Sequence, residues 1–341
     1  MYKFVIGCIL LLLVSCSTNK VCRNPEGEEV DWYAIFFMPS SASSDGQIHY
    51  GYYDSKLNDI KYYKYMENNF PPTQITRYAS LGGKDFNYFF WNDDKTLKNG
   101  QPAGAPTSKA HAKGSLVYDS HSGAFLLHSL PRFPTRNQNN DVLTELPSNG
   151  GNYGQNFLCL TVDKINAEVI ARILSCTNVS INKSVKEDRV NKTPNVWVKQ
   201  LIANQMHFTC PSQGTRNVKT KGKKSFLFHT KNYRNKIIPY DTTLRQTYKD
   251  DFYVRTWSRP ALAPSLNDQY KLSHVLEVKF GDYRYGVNKE HSKWAISKNK
   301  SIVCFSDLNH TNSQKERGGN IVCFDDKRLH NIMKNAIKNT D

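Results

Sequence analysis

The tripeptides His111-Ala112-Lys113 and His291-Ser292-Lys293 place the same chemical pair at the same spacing, once in each half of the chain. A motif repeated in this way points to internal duplication, and the flanking segments keep the same order. Each half reads as strand, loop, His-x-Lys strand, then a hairpin strand ending in a polar residue. Ser129 follows His111 at the same interval as Asn309 follows His291. Residues i and i+2 of a strand share a face, so each tripeptide offers an imidazole beside an ammonium. Two such pairs facing each other would supply a nucleophile, a general acid and two cations for a phosphodiester. Spacing alone does not select them, because His229-Thr230-Lys231 has the same form.

The chain has 341 residues, enough for one large domain or two halves with substantial cores. A net charge of +16 favours a polyanionic partner such as nucleic acid, a sulfated glycan or an anionic membrane surface. Lys3, the apolar run Phe4 to Val14 and the small residues Ser15-Cys16-Ser17 have the pattern of a secretory signal. We therefore expect a signal peptide over 1–17; a lipid-bearing Cys16 is the alternative. The run is short for a membrane span, no later stretch approaches one, and stable membrane insertion is not expected. Beyond the signal, Cys22, Cys159, Cys176, Cys210, Cys304 and Cys323 remain, which suggests up to three disulfides in an oxidising compartment. No cysteine or histidine set has zinc-ligand spacing, so neither metal nor cofactor is expected. Sequons at Asn178, Asn182, Asn191, Asn299 and Asn309 fit a secretory route.

Val30 to Met38 reads as a buried first strand. Lys113 to Tyr118 and Ala124 to Leu130 read as a hairpin around the turn-rich Asp119 to Gly123. Asn149-Gly150-Gly151-Asn152 is a strong breaker and is taken as the division between halves, 18–150 and 151–341. After it come a strand over Phe157 to Val162 and a helix over Lys164 to Leu174. Cys176 to Thr193, polar and sequon-rich, reads as an exposed loop. Lys219 to Lys224 is a basic cluster, either a solvated loop or a clamp for DNA. Leu276 to Phe280 is expected as a strand. Ile302 to Phe305 and Ile321 to Phe324 bracket a polar loop, and Lys327 to Lys338 reads as a basic amphipathic helix.

Beyond these signals, the residues resemble the deoxyribonuclease II family, acid endonucleases with a phospholipase D-like pseudodimeric fold. Val30-Asp31-Trp32-Tyr33 resembles the family's opening strand. Ala110-His111-Ala112-Lys113-Gly114 with Asp119, and His128-Ser129-Leu130-Pro131-Arg132-Phe133-Pro134, resemble its first catalytic block. Asn152-Tyr153-Gly154-Gln155 with Leu158-Cys159 is similar to its mid-chain segment. His291-Ser292-Lys293-Trp294, Ser306-Asp307-Leu308-Asn309 and Glu316-Arg317-Gly318-Gly319 with Cys323 follow the family order. The resemblance implies an α+β or α/β fold of two similar halves, each with a central mixed β-sheet flanked by helices. It implies cleavage of double-stranded DNA without metal at acid pH, leaving 3′-phosphate and 5′-hydroxyl ends. Carried over position by position, His111, Lys113, His128, His291 and Lys293 form the site, with Asp307 and Asn309 in support. It implies the bridges Cys22–Cys159 and Cys304–Cys323, which leaves Cys176–Cys210 as a pairing the family does not suggest. Ala295 stands where relatives often have cysteine. His229-Thr230-Lys231 falls where the family has no catalytic histidine.

In the implied reaction one imidazole attacks phosphorus and forms a phosphohistidine, while the other, protonated, donates to the 5′ oxygen. His111 is favoured as nucleophile and His291 as acid, though near-symmetry leaves the reverse open. Lys113 and Lys293 would hold the non-bridging oxygens, and a histidine pKa near 6.5 suits a mildly acidic compartment, the lysosome or a secreted setting. Each residue also has a plain structural reading. His128 ends an apolar strand and could serve only as a buried hydrogen-bonding group; Asp307 and Asn309 could simply cap a loop. Two other functions fit parts of the pattern: a secreted, catalytically weak binder of DNA or another polyanion, and a phospholipid phosphodiesterase. A pseudodimer completes its site within one chain, so a monomer suffices, although a homodimer remains open.

Overall fold

A computed structural model describes residues 19–80, 86–96, 102–104, 106–136, 142–143, 145–147, 150–184, 195–257 and 269–341. The expected signal segment and the Asn191 sequon lie outside them. Among the described residues the fold is mixed α+β, dominated by two large sheets.

The first sheet contains β1 (Trp32–Met38), β2 (His49–Asp54), β3 (Lys61–Lys64), β4 (Asn87–Asn92), β5 (Lys113–Tyr118), β6 (Gly123–His128), β7 (Gln155–Val162) and β8 (Ile181–Ser184), in spatial order β8-β4-β5-β6-β7-β1-β2-β3. All its pairings are antiparallel. The second contains β9 (Gln213–Lys219), β10 (Ser225–Lys231), β11 (Phe252–Arg255), β12 (Leu272–Phe280), β13 (Tyr283–Gly286), β14 (Trp294–Ser297), β15 (Ile302–Ser306), β16 (Gly319–Asp325) and β17 (Ile337–Thr340). Its order is β9-β10-β16-β15-β14-β11-β12-β13, with β17 on β12. Only the second sheet is mixed, through the parallel β11–β12 pair. The long connection between those strands gives the chain room to cross over, whereas hairpin-joined strands must run antiparallel.

The run β4-β5-β6-β7-β1 in the first sheet repeats as β11-β14-β15-β16-β10 in the second, while the next strand outward follows β1 in the chain in the first sheet and precedes β10 in the second. The Gly150–Gly151 breaker does not separate the sheets. Beyond it β7 sits at the centre of the first sheet between β6 and β1, and β8 extends that sheet's edge. The stretch expected as an exposed loop after Cys176 instead starts buried, through Ser180, because Cys176 is tied to Cys210 and β8 pairs with β4. Its residues 185–194 are outside the described set.

Strand β1 shows how the core is divided. Its seven residues are all buried, and alternation sends Trp32, Ala34, Phe36 and Met38 to one face and Tyr33, Ile35 and Phe37 to the other. The first face meets Phe228, Phe305, Val322 and Phe324 of the second sheet in one shared core. Helix Lys164–Thr177 fills that core with Ala167, Ile170, Ala171 and Leu174, and helix Lys327–Ala336 with Leu329 and Met333. The sheets are therefore packed face to face, and their equivalent edges can form one site. Disulfides Cys22–Cys159, Cys176–Cys210 and Cys304–Cys323 are all present.

Candidate active site

Both His-x-Lys tripeptides lie on the lead-in to a strand: Lys113 opens β5, and Lys293 directly precedes β14. The histidines are off the strand ladders because their backbone N–H groups bond across to the other half. His111 N–H donates to Gly318 O at 2.8 Å, and His291 N–H donates to Gly154 O at 2.8 Å. These are the same bond made twice, since Gly154 precedes β7 as Gly318 precedes β16. Glycine is required at both places by close approach. A Cβ on Gly318 would lie 2.2 Å from Thr177 O, and one on Gly154 would lie 2.7 Å from Glu290 Oε1.

The repeat continues one residue beyond the hairpins, with a shifted interval. Ser129 N–H donates to Asn156 O, and Asp307 N–H donates to Asn320 O. Ser129 thus corresponds to Asp307, not to Asn309 as the sequence interval suggested. The offset arises because β5 pairs from Gly114 to Tyr118 whereas β14 pairs only from Trp294 to Ile296.

Charge is concentrated where the two motifs meet. The His111 Nδ1–H donates to Asp307 O at 2.7 Å, a carbonyl that can only accept, so Nε2 is the nitrogen left for chemistry. Asp93, directly after β4, has Oδ2 3.6 Å from that Nε2 and 3.1 Å from Arg317 Nη2, while its Oδ1 pairs with Lys113. Arg317 also donates to the carbonyls of Lys109 and Ala110, bracing the segment that delivers His111. On the other side, Lys293 N–H donates to Asn156 Oδ1 and its ammonium donates to His291 O. Asp307 Oδ2 accepts from the backbone and side chain of Asn320. Glu290, fully buried, pairs with Arg255 and accepts from Ser292 N–H through Oε1.

His291 has different neighbours. Its ring lies between Tyr153, at 4.4 Å between centroids, and Trp257, at 4.7 Å. The sheet register makes this comparison informative. Asp93 follows β4, which pairs with β5; Trp257 follows Thr256 at the end of β11, which pairs with β14. Arg317 and Tyr153 each precede the glycine that accepts the backbone N–H of a motif histidine. At equivalent positions His111 has a carboxylate and a guanidinium, and His291 has two aromatic rings.

Burial dominates the ionisation. It lowers His111 to about 3 against the opposing pull of Asp93, with Lys113 and Lys293 adding to the depression. Burial and then the Lys293 and Lys113 ammoniums lower His291 to about 3 as well. Lys293 is brought down to about 7 by burial and Lys113, and burial lifts Asp307 to about 7. Burial works against an ionised Asp93, yet Lys113, His111 and Arg317 hold it well below the usual carboxylate range. Each lysine acts on the histidine of the opposite motif, so the two tripeptides share one electrostatic site.

Of the seven residues picked from sequence, His111, Lys113, His291, Lys293 and Asp307 are joined in this network. His128 sits beneath it, 1% exposed, with its ring between Phe133 and Phe157, and burial holds it neutral down to about 3. Asn309 is in the same buried loop as Asp307, and its Oδ1 has no protein partner among the described residues. The third triplet is structural. Lys231 binds the carbonyls of Ile237, Gln314 and Lys315, and His229 meets the Tyr248 hydroxyl. Sequence reasoning missed Asp93, Arg317 as an ion partner, Asn156, Asn320, Tyr153 and Trp257. Only the pairing of strands exposes them.

The Lys219 to Lys224 cluster lies at the opposite end of the sheets. Its tip docks on Asp31 through Thr220 and Gly222, and Lys221 N–H reaches Thr161 O. The neighbouring Val162 pairs with Gly123, the end of β6 remote from His128 and about 17 Å away at 3.3 Å per residue. Among the described residues, no group of three or more His, Cys, Asp or Glu side chains is arranged to hold a metal ion. No helix among them is long and apolar enough to cross a membrane.

Comparison with known proteins agrees with the sequence motifs. The chain is 27% identical to deoxyribonuclease-2 of Caenorhabditis elegans, over 93% of this chain and 92% of that protein. It is 26% identical to cell-death-related nuclease 7 of the same organism, over 94% of this chain and 88% of the relative. Identity with mouse deoxyribonuclease-2-beta is 25%, over 89% and 86% respectively. The family model described as deoxyribonuclease II matches residues 21–341, and the chain belongs to that family.

Proposed function

We propose that this protein is a deoxyribonuclease II-type nuclease that cuts double-stranded DNA endonucleolytically, without metal and at acid pH, leaving 3′-phosphate and 5′-hydroxyl ends. The observation that carries the reading is the pairing of two His-x-Lys motifs from two equivalent sheet edges within one electrostatic site. The two sheets are then the halves of a phospholipase D-like pseudodimer, with β7 and β8 part of the first half. One chain completes the site, so the working form is a monomer. The disulfides suit a lysosomal or secreted setting.

His111 is the nucleophile in this reading. The Asp307 carbonyl fixes its Nδ1–H, and Nε2 presents its lone pair to phosphorus. Attack forms a P–N bond and breaks the P–O5′ bond, while His291 gives its proton to the departing 5′ oxygen. Water then attacks the phosphohistidine, His291 takes the water proton, and the P–N bond breaks to leave a 3′-phosphate. During the first step the His111 ring becomes cationic, and Asp93 together with the Asp307 carbonyl stabilises that charge. Stacking between Tyr153 and Trp257 favours the imidazolium form of His291, as expected of the acid. Lys113 and Lys293 bind the non-bridging oxygens. Asn309 offers a further polar contact, and His128 packs under Lys113 as a neutral support.

The histidines are low in the empty site because they are buried beside two ammoniums. A phosphodiester anion between the motifs reverses that bias and raises them, so binding takes up protons and is favoured by acid. A plasmid-nicking assay at about pH 5 with chelator, on wild type and His291→Ala, tests the proposal. Cleavage by the wild type alone supports it. Cleavage that needs Mg²⁺ or survives the substitution overturns the mechanism, and no cleavage by either favours a polyanion-binding paralogue.

A further inference from the structure

Behind the loop that carries Asp307 and Asn309 is a second cluster of titratable groups, separate from the two motifs. Asp341 Oδ2 is 2.7 Å from His274 Nδ1, His274 Nε2 is 2.7 Å from His310 Nδ1, and His310 Nε2 is 2.8 Å from Asp241 Oδ1. Both imidazoles are buried, at 4% and 1% exposure, whereas the two carboxylates are about one-third exposed. The row of four groups therefore runs through the protein interior and meets solvent at both ends.

All three contacts have hydrogen-bond length, and each needs one hydrogen. Ionised carboxylates only accept, so the hydrogens must sit on ring nitrogens. Two neutral imidazoles carry two hydrogens between them. One contact would then set a lone pair against a lone pair or a carboxylate oxygen. A third hydrogen completes all three bonds, and a fourth on the rings sets two N–H groups against each other in the His274–His310 contact. The geometry fits a row holding three.

We propose that His274 and His310 form a one-proton clasp that positions the catalytic loop, complete when the pair has bound a single proton beyond neutrality and open when it loses it. The inference rests on the nuclease reading for its consequence, but not for its chemistry. His310 ends the segment Ser306 to His310, whose Asp307 carbonyl holds His111. Its backbone N–H donates to Thr256 Oγ1, next to Trp257, which stacks on His291. Releasing His310 thus loosens the supports of both motif histidines. His310 and His274 are positioning residues, since neither touches the phosphate.

Among the described residues, the charged and titratable groups facing the pair are few. Asp341 follows β17 and is also tied to the His274 backbone. The turn Tyr240–Leu244 contributes Asp241 and the Tyr240 ring, whose hydroxyl donates to Leu308 O. Arg245 donates to the Asp241 carbonyl, and Arg255 reaches Val275 O beside His274 with its charge paired to Glu290.

The test uses the intact protein with ¹⁵N-labelled histidine. Long-range proton–nitrogen spectra at about pH 5 should show three of the four ring nitrogens of His274 and His310 protonated; two or four would overturn the clasp. Backbone amide protection at Asp307, Leu308 and His310, corrected for intrinsic exchange, should fall about tenfold or more from about pH 5 to about pH 8. Because Asp307 titrates in the same range, the comparison is made in an Asp307→Asn background, where the dependence should persist with His274 and disappear on adding His274→Asn, whose amide cannot titrate. Equal wild-type protection at both pH values overturns the proposal. The proton count needs no variant, so a His274→Asn that fails to fold does not remove the test. None of these readouts requires DNA cleavage, so failure of the clasp and failure of the nuclease reading are told apart.

Discussion

Replacing Asp93 by Asn should separate the chemistry of His111 from mere support of the site. The carboxylate is 3.6 Å from His111 Nε2 and is shared with Lys113 and Arg317. At an effective dielectric near 20, a unit charge at that distance contributes about 5 kcal/mol to a cationic His111 ring. The two other cations already draw on the same carboxylate, so about half of that, roughly 2–3 kcal/mol, is available to the transition state. At about 1.4 kcal/mol per decade this predicts a fall in kcat of roughly 10²-fold. Asp93 does not face the DNA phosphate as a donor, so KM should not rise. Folding stability should also drop, by about 2–4 kcal/mol, because a buried pair is broken while Arg317 keeps its carbonyl partners. Steady-state nicking of plasmid DNA, with a thermal melt to verify folding, measures both. A folded variant with kcat within about threefold of wild type would refute the argument and leave Asp93 as a brace for Lys113 and Arg317 alone.

Asp307 predicts a pH signature. Its folded-state value is raised to about 7, so the folded protein keeps a proton that the unfolded chain loses from about pH 4 upward; stability falls across that window. Asp307→Asn should therefore gain relative to wild type, by about 2–4 kcal/mol, between about pH 4 and about pH 8, and a difference that is flat in pH by denaturant melts would contradict this. Gly318→Ala forces a Cβ onto Thr177 O and disrupts the His111 N–H bond, so nicking activity should fall at least about tenfold. Activity near wild type would show that the cross-half bond does not set His111. Glycopeptide mapping of active protein should find Asn178 and Asn309 unmodified. The Asn178 amide already donates to Ser108 O, and Asn309 is 6% exposed, so a glycan at either on fully active protein would refute the geometry.

What could be read from the sequence was local. The alternating strand β1, the hairpins that follow the two motifs, the helix from Lys164 and the bridges Cys22–Cys159 and Cys304–Cys323 all leave a mark within a few residues of themselves or through the family motifs, whereas Cys176–Cys210 is only the pair left over. The network around the histidines leaves none. Asp93 reaches His111 only because β4 pairs with β5, and Arg317 reaches Asp93 only because the sheets pack face to face. Matching intervals misled in one place, pairing Ser129 with Asn309, because hairpin length shifts the count while hydrogen-bond register does not. The difference in surroundings between the two histidines was equally hidden. Asp93 and Trp257 share a topological position, but no local pattern connects a carboxylate in one half to an indole in the other.

The central claim is that the two motifs carry out one phosphoryl transfer with His111 as nucleophile. Mixing enzyme with a DNA oligonucleotide at about pH 5, quenching within the first turnover into alkali and mapping peptides by mass spectrometry tests it directly, since N-phosphoryl histidine survives alkali. The account predicts a DNA 3′-phosphoryl adduct on the peptide containing His111, more abundant in His291→Ala given a substrate whose 5′ leaving group needs no proton. An adduct on His291, or turnover with no covalent adduct, would contradict it.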